Sequence, residues 1–270
     1  MRHKAYLAGK KLPAMYAKPF EEIQFFPERL EQPLHWKKPQ TIFVGSQTDL
    51  FHEKVPFEYV HKIFDITQKA YQHQYLFLTK RPDRMKLFIK ECAQHNKSGD
   101  RIKKSGIRYH SDFAWPHSNV SLGLTICNQQ EADEKIPILL QTPAAKRWLS
   151  IEPMLEEIDI EKWLWVDRNT DNDLDVYGQL IDWVVVGCES GPHARQCLLA
   201  NIESIVDQCD AAGVRMFVKQ VNLPKEFGME LTCKSFDAAS KAYGFRVSHN
   251  PAEWPEKLQR RQLSRARELL

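Results

Sequence analysis

The sequence has no long apolar run. Its 270 residues contain no stretch that approaches the roughly 20 apolar residues of a membrane-spanning helix. The basic segment 1–11 is not followed by an apolar stretch, so it does not resemble a secretory signal. We therefore expect a cytoplasmic protein with no membrane partner.

Cysteine is scarce, and its spacing matches no metal motif. The six cysteines stand at positions 92, 127, 188, 197, 209 and 233, and no two of them form a CxxC pair. This spacing excludes a zinc ribbon and a compact iron–sulfur loop. In a chain of this length without an export signal, we expect reduced, mostly buried thiols and no metal ligands.

The composition excludes little else. Hydrophobic residues make up 43% of the chain and charged residues 27%, which is ordinary for a globular protein with a sizeable core. The formal net charge of +3 does not by itself indicate a nucleic-acid partner. A length of 270 residues suits one α/β domain.

Short apolar runs, each followed by polar residues and in most cases a helical pattern, organise the chain. The runs predict strands at Thr41–Gly45, Tyr75–Thr79, Val120–Thr125, Arg147–Ile151, Trp183–Gly187 and Arg215–Lys219. The helical candidates between them are Phe57–Tyr71, Pro82–Gln94, Gln129–Gln141 and Asn201–Ala212. The runs show little alternation, which is typical of strands covered on both faces. Strand–helix–strand alternation requires parallel pairing.

This alternation predicts an α/β fold, either a TIM-like (β/α) barrel or an incomplete parallel barrel that lacks its first strand. An open doubly wound sheet is the structural alternative, and it is weakened because no GxGxxG follows any strand. We divide the single domain into 1–40, a helix and strand remnant, 41–220, the repeated βα units, and 221–270, an extension with a basic helix. An additional strand is predicted at Ile23–Phe26.

Polar side chains follow the ends of all six predicted strands. In chain order they are Ser46, Asp49, His52, Thr79, Lys80, Arg81, Thr125, Asn128, Ser150, Glu152, Glu189, Ser190, Lys219 and Gln220. Ligands of parallel α/β folds bind at the carboxyl ends of the strands. The set therefore predicts a charged, hydrogen-bonding pocket at one mouth. Taken singly, each residue also has a structural interpretation, such as a cap for Asp49 or an ordinary ion pair for Glu152 with Lys219.

A glycine-rich turn at 186–192 adds a second signal. Gly187 and Gly191 flank Glu189 and allow close backbone approach, so Glu189 could meet a ribose hydroxyl or an amino group. A tight strand-to-helix turn explains the same glycines. Cys188 lies beside Glu189 and His193, but without a base in contact an inert thiol is the favoured interpretation.

Several segments together resemble one known family. They are Phe26–Leu30, Trp36–Pro39, Ile42–Val44, Asp49–His52, Leu78–Pro82, Leu122–Thr125, Ser150–Pro153, Val186–Gly191 and Phe217–Gln220. In this order and spacing, from about Met15 to Gln220, they resemble the phage and bacterial proteins grouped as domain of unknown function 5131. That family in turn resembles radical S-adenosylmethionine enzymes.

The resemblance implies S-adenosylmethionine as a cofactor and a [4Fe–4S] cluster held by a three-cysteine motif that ends in CxxC-Tyr-Ala. By resemblance, the cofactor would contact Thr125, Asn128, Glu152, Glu189 and Ser190. By the same resemblance, the substrate would contact Lys80, Arg81 and Lys219. From their positions at strand ends, Ser46, Asp49, His52, Thr79 and Gln220 are further substrate-binding candidates, and Lys219, Glu152 and Glu189 are the catalytic candidates. Since the sequence has no such cysteine motif, we expect a shortened chain or a start placed too late, unable to assemble the cluster as written.

Two other functions stay open. The first is a cluster-free lyase or hydrolase, in which Lys219 forms a Schiff base and Glu152 with Glu189 forms an acid/base pair. The second is a non-catalytic nucleic-acid-binding module whose cations are Lys80, Arg81, Lys103, Lys104, Arg108, Lys257, Arg260, Arg261, Arg265 and Arg267. The expected partners are an unknown small-molecule or nucleic-acid substrate and a separately encoded protein.

Overall fold

A computed structural model describes residues 22–46, 48–98, 115–166, 178–225 and 232–262. The strands are β1 (Thr41–Val44), β2 (Gln74–Thr79), β3 (Val120–Ile126), β4 (Lys146–Ile151), β5 (Trp165–Val166), β6 (Gly178–Gln179), β7 (Trp183–Val186), β8 (Arg215–Val218), β9 (Val221–Pro224) and β10 (Phe245–Ser248). The helices are α1 (Phe57–Lys69), α2 (Pro82–Ser98), α3 (Gln129–Leu140), α4 (Glu161–Leu164), α5 (Leu199–Ala212) and α6 (Cys233–Tyr243). Short 3₁₀ turns lie at Pro27–Arg29, Gln32–His35, Pro251–Glu253 and Glu256–Leu258.

Six parallel strands form a curled sheet, in the order β1-β2-β3-β4-β7-β8. Each strand of this sheet lies beside the one that precedes it in the sequence, apart from the small β5–β6 excursion. The arrangement is a half-barrel, which confirms the predicted α/β class and agrees with an incomplete parallel barrel. The six predicted strands and the four helices between them are present within a few residues of their predicted bounds.

The sheet keeps its helices on one face. Along β3, Leu122 and Leu124 lie in the large apolar core, and the alternate residues Ser121, Gly123 and Thr125 face the other way. A second, smaller apolar cluster lies on that other, concave face. Strands added in sequential order through crossovers of one hand leave one face without helices, which disfavours the doubly wound alternative.

A row of aromatic rings crosses the concave face. The ring of Phe43 lies edge-on to Trp148 with centroids 6.1 Å apart, and Trp148 lies 5.4 Å from Trp183. Trp183 is followed by Phe217 at 6.4 Å. The Trp148 indole covers Gly123, and its Nε1 donates to the carbonyl of Phe77 across 3.1 Å. This row therefore fills the floor of the half-barrel.

The C-terminal segment closes the open edge of β8. The amide of Val218 donates to Arg260 O at 2.8 Å, and the amide of Gln262 donates to Met216 O at 3.0 Å. The Arg261 guanidinium lies 4.4 Å from the centre of the Phe217 ring. An extended segment here satisfies backbone groups that an edge strand would leave unpaired.

Two sequence predictions fare differently at the ends of the chain. The predicted strand at Ile23–Phe26 is wrong, because these residues form no ladder and the chain passes directly into 3₁₀ turns. The N-terminal helix expected before them lies outside the described residues. In the predicted basic C-terminal helix, the described part is a 3₁₀ turn followed by the extended segment at 259–262, and Arg265 and Arg267 lie outside the described residues.

Replacement of Gly123 by alanine tests the packing of this floor. A Cβ atom at Gly123 would overlap the Trp148 indole and lie 2.7 Å from the carbonyl oxygen of Phe77. We expect Gly123→Ala to lower the free energy of unfolding by about 1–3 kcal/mol, the usual cost of overpacking. Urea denaturation measures it. Ser121→Ala, on the same face of β3, is the control, and an equal loss in both variants would contradict the steric argument.

Candidate functional site

Two hydroxyl groups lie side by side at the carboxyl end of the concave face. Thr125 of β3 pairs in register with Ser150 of β4, and each is only 5% exposed. Neither hydroxyl is among the buried polar atoms that lack a partner in the described part of the chain. Ligands of parallel α/β folds bind at this end of the strands, so the position of the pair makes it a candidate binding feature.

An ion pair lies next to these hydroxyls. Glu152 follows β4 by one residue, and its two carboxylate oxygens accept from Lys219 Nζ at 2.8 and 3.0 Å. Gln220 Nε2 donates to the same carboxylate at 2.8 Å and to Cys188 O at 2.6 Å. The side chain of Lys219 is 52% exposed and that of Glu152 22% exposed. The ion pair is therefore accessible to solvent, and the buried side chain of Gln220 fixes the Glu152 carboxylate from the protein interior.

Gly187 makes room for this arrangement. A Cβ atom there would lie 3.1 Å from Gln220 Nε2 and 3.4 Å from Lys219 Cβ, which is tight packing. The backbone remains paired past the strand ends, since Lys219 N donates to Val186 O at 2.8 Å. Gly187, the first glycine of the 186–192 turn, thus leaves room for the side chains of Lys219 and Gln220.

Asp49 organises the mouth at β1 and β2. Its carboxylate accepts from Thr79 Oγ1 at 2.8 Å, from Lys80 N at 3.1 Å and from Arg81 Nη1 at 2.9 Å. It also accepts from Phe51 N at 3.0 Å. Three of the predicted substrate-binding side chains, those of Asp49, Thr79 and Arg81, are therefore joined to one another and hold two loops together.

Glu189 is paired with a cation of the same loop, Arg195. Its carboxylate binds the Arg195 guanidinium in a fork, with Nε to Oε2 at 2.9 Å and Nη2 to Oε1 at 3.0 Å. The amide of Arg195 also donates to Oε2, at 2.8 Å. These hydrogen bonds from Arg195 lower the pKa of Glu189 to about 2. Ser190 beside it is exposed, and His193 adopts a positive φ of 64° in the same turn.

Asn128 begins a helix. Its Oδ1 accepts from Glu131 N at 2.8 Å, and Glu131 Oε2 accepts in return from Cys127 N at 2.7 Å. This pattern is a variant of the capping box at the start of α3, in which the glutamate accepts from the residue before the N-cap. The side-chain oxygen of Asn128 is thereby occupied. Burial, and then the charge of Glu131, raises the pKa of the neighbouring Cys127 thiol.

Ser46 and His52 also lie apart from the Glu152 ion pair. Ser46 is exposed after β1. His52 accepts from Lys54 N at 3.2 Å through its Nδ1 and so closes a local turn. Neither of them has a hydrogen bond to Glu152 or Lys219 in the described ranges.

All six cysteines are free thiols, and five of them are buried. Burial raises the pKa of Cys188 to about 12, which agrees with an inert thiol at this strand end. Within the described residues, no group of three His, Cys, Asp or Glu side chains is placed to hold a metal ion.

Sequence reasoning missed Arg195 as the partner of Glu189, and it missed the contacts that Arg261 makes beside the ion pair. Arg195 stands only six residues after Glu189, so an opposite charge within one turn was a readable signal. Arg261 donates from Nη1 to the carbonyls of Val218 and Lys219, at 2.8 and 3.3 Å. It comes from 42 residues further along the chain, and no local pattern indicates that contact.

Comparison with known proteins identifies the family. A family model described as a protein of unknown function, DUF5131, matches residues 2–251. The chain belongs to this family. The match confirms the family resemblance seen in the sequence motifs. Searches of curated proteins and of solved structures for relatives of this DUF5131 chain find no match.

The helices of the DUF5131 chain can also be compared with membrane-spanning helices. Among the helices of the described segments, none combines the length and apolar character needed to cross a bilayer.

The Glu189–Arg195 pair predicts an acid-dependent contribution to stability. The ordinary pKa of glutamate in an unfolded chain is about 4.3, and in the folded protein it is lowered to about 2. The contribution is therefore present above the unfolded value and is lost as the pH falls toward 2. Glu189→Gln should flatten this part of the plot of unfolding free energy against pH between 5 and 2.

Arg195→Gln removes the other partner and should flatten the same part of the curve. Unchanged acid dependence in both variants would show that the pair makes no pH-dependent contribution.

Proposed function

We propose that this DUF5131 half-barrel binds S-adenosylmethionine at its mouth, as a cytoplasmic, phage-type relative of radical S-adenosylmethionine proteins with an incomplete TIM-like barrel. The observation that carries the proposal is the solvent-accessible Glu152–Lys219 ion pair beside the hydroxyl side chains of Thr125 and Ser150. The substrate of any reaction at this mouth is left unassigned.

The charges of the site complement those of the cofactor. The methionine end of S-adenosylmethionine is a zwitterion, with an ammonium and a carboxylate on one carbon atom. Glu152 can accept from the ammonium, and Lys219 can donate to the carboxylate, so the ligand exchanges one ion pair for two. Charge-assisted hydrogen bonds of this kind are stronger than neutral ones.

The remaining groups suit the nucleoside. Thr125 and Ser150 can each donate and accept a hydrogen bond, as a ribose diol requires. The floor beneath them is apolar, because Trp148 lies over Gly123 in the middle of β3. Mostly apolar pockets with a few placed polar groups are typical of cofactor sites.

The described residues do not fit a [4Fe–4S] cluster. Five of the six cysteines are buried, and no metal-binding group of three side chains occurs among the described residues. We therefore derive no radical step for this chain. Its own residues bind and orient the cofactor.

The lyase alternative has less support in the geometry. A Schiff base requires a neutral amine, whereas Lys219 donates to both oxygens of Glu152. An acid/base pair requires two carboxyl groups that share a site, but Glu189 is bound by Arg195. The lyase function remains a prediction without a favouring contact.

Binding measurements test the proposal. Isothermal titration calorimetry with S-adenosylmethionine should give saturable binding, and 5′-methylthioadenosine, which lacks the amino-acid end, should bind at least about tenfold more weakly. Glu152→Gln should weaken the binding of S-adenosylmethionine by about tenfold, and it should leave methylthioadenosine almost unaffected.

The matched control is Asp133→Asn, which alters an exposed carboxylate paired with Lys162 at 3.2 Å on another surface. It should bind S-adenosylmethionine like the parent protein. Equal affinities for the two ligands, or equal effects of the two substitutions, would overturn the assignment of the Glu152 ion pair.

A second measurement addresses the cluster. Anaerobic reconstitution of the chain with iron and sulfide should give no stoichiometric [4Fe–4S] absorbance, because the thiols are dispersed and Cys92, Cys188 and Cys209 have pKa values raised to about 12 by burial. Four irons bound per chain, lost when Cys127 or another single cysteine is replaced by serine, would contradict this expectation.

A further inference from the structure

An open depression of about 500 Å³ lies before β1, away from the mouth. It is lined by His35, Trp36, Lys37, Lys38 and Gln40. Gln40 immediately precedes β1, and its carbonyl accepts from the amide of Gln74 at the start of β2, at 2.8 Å. This His35–Gln40 depression is therefore at the amino edge of the sheet. The length of β2 separates it from the mouth by roughly 17 Å, at about 3.3 Å per residue.

A buried histidine fixes the loop that forms the depression. His73 is fully buried; its Nδ1 lies 3.1 Å from Gln40 N and its Nε2 lies 2.8 Å from Pro33 O. Since an amide can only donate, Nδ1 accepts, and Nε2 donates to the carbonyl. One imidazole thus holds both ends of the 33–40 loop. Pro33 and Pro39 further restrict its backbone.

The loop displays an aromatic ring and unpaired cations. Trp36 is 41% exposed and rests edge-on against His73, with ring centroids 5.8 Å apart. Lys37 and Lys38 are exposed, and neither forms an ion pair with any residue in the described ranges. Tyr71, two residues before His73, is 76% exposed.

We propose that the His35–Gln40 depression binds single-stranded nucleic acid. One base stacks on Trp36, and Lys37 and Lys38 contact the phosphates that flank it. Aromatic rings that carry bases beside cations that follow the backbone are the recurring arrangement of single-strand binding. The contact with His73 orients the Trp36 ring, and the exposed part of that ring beside Lys37 and Lys38 is accessible to a base.

Three described cations of the C-terminal segment are less suited to this role, and Lys103, Lys104, Arg108, Arg265 and Arg267 lie outside the described residues. Lys257 forms ion pairs with Glu203 and Asp207, and Arg260 forms one with Asp210. Arg261 lies over Phe217 and donates to backbone carbonyls. These groups hold the C-terminal segment to α5 and β8. Lys37 and Lys38 of the depression form no such ion pairs within the described residues.

Fluorescence anisotropy with a labelled oligothymidylate tests the proposal on the whole chain. Trp36→Ala should weaken binding by at least about tenfold, and Trp36→Phe, which keeps an aromatic face, should recover most of it. Lys37→Ala and Lys38→Ala should each weaken binding and reduce the slope of log K against log salt by about 0.7. Circular dichroism verifies that each variant is folded.

The controls are Trp165→Ala, which removes a ring of similar exposure (49%) elsewhere, and Lys90→Ala on α2. Both should bind as the parent does. Competition with heparin, which is a polyanion without bases, and with free thymidine monophosphate distinguishes affinity for phosphate groups from affinity for a stacked base. Retention of affinity in Trp36→Ala, or heparin that competes as well as unlabelled oligothymidylate, would overturn the proposal.

Discussion

The described helices that connect the strands of the parallel sheet pack on one face. This arrangement determines where the apolar core, the aromatic row and the polar end of the sheet lie. Neighbouring strands are joined in sequential order, so each crossover returns over the same side of the sheet. The apolar core, with Phe64, Phe77 and Phe88 at its centre, lies under these helices. The opposite face curls and carries no helix of the described residues, and an aromatic row led by Trp148 and Trp183 fills its floor. Only the carboxyl end of that face is left for polar chemistry.

The polar groups at this end divide by their partners. Asp49 and Asn128 are satisfied locally, one by loop donors and the other by the capping of α3. Glu189 is neutralised within its own turn by Arg195. Glu152 differs, because its cation arrives from β8 and remains half-exposed. A ligand that replaces or shares that contact breaks at most one ion pair, whereas disruption of the Asp49 network would leave four hydrogen-bond donors without their acceptor. The difference in partners, more than residue type, separates a binding group from a structural one.

The sequence predicted much of the sheet and only part of the site. Apolar runs such as Trp183–Val186 are unambiguous because a strand buried on both faces needs no alternation. Parallel order then placed Thr125, Ser150, Glu152 and Lys219 at one end of the sheet, as the structure shows. The strand predicted at Ile23–Phe26 was wrong, since a short apolar run alone does not supply a neighbour to pair with. Trp36 was read only as part of a family motif, because its exposure depends on how His73 holds the loop.

The sequence by itself determined the parallel α/β class, the succession of strands and helices, and the family, because these depend on local apolar periodicity and on ordered short motifs. Tertiary structure decided which carboxylates are paired within their own turn and which are paired across the fold. Lys219 reaches Glu152 across 67 residues, and Arg261 reaches Phe217 from the far end of the chain. Hydrogen bonds and ion pairs act over only a few ångströms, so their partners depend on where the folded strands end and on which side chains, such as the absent one at Gly187, leave room for the approach.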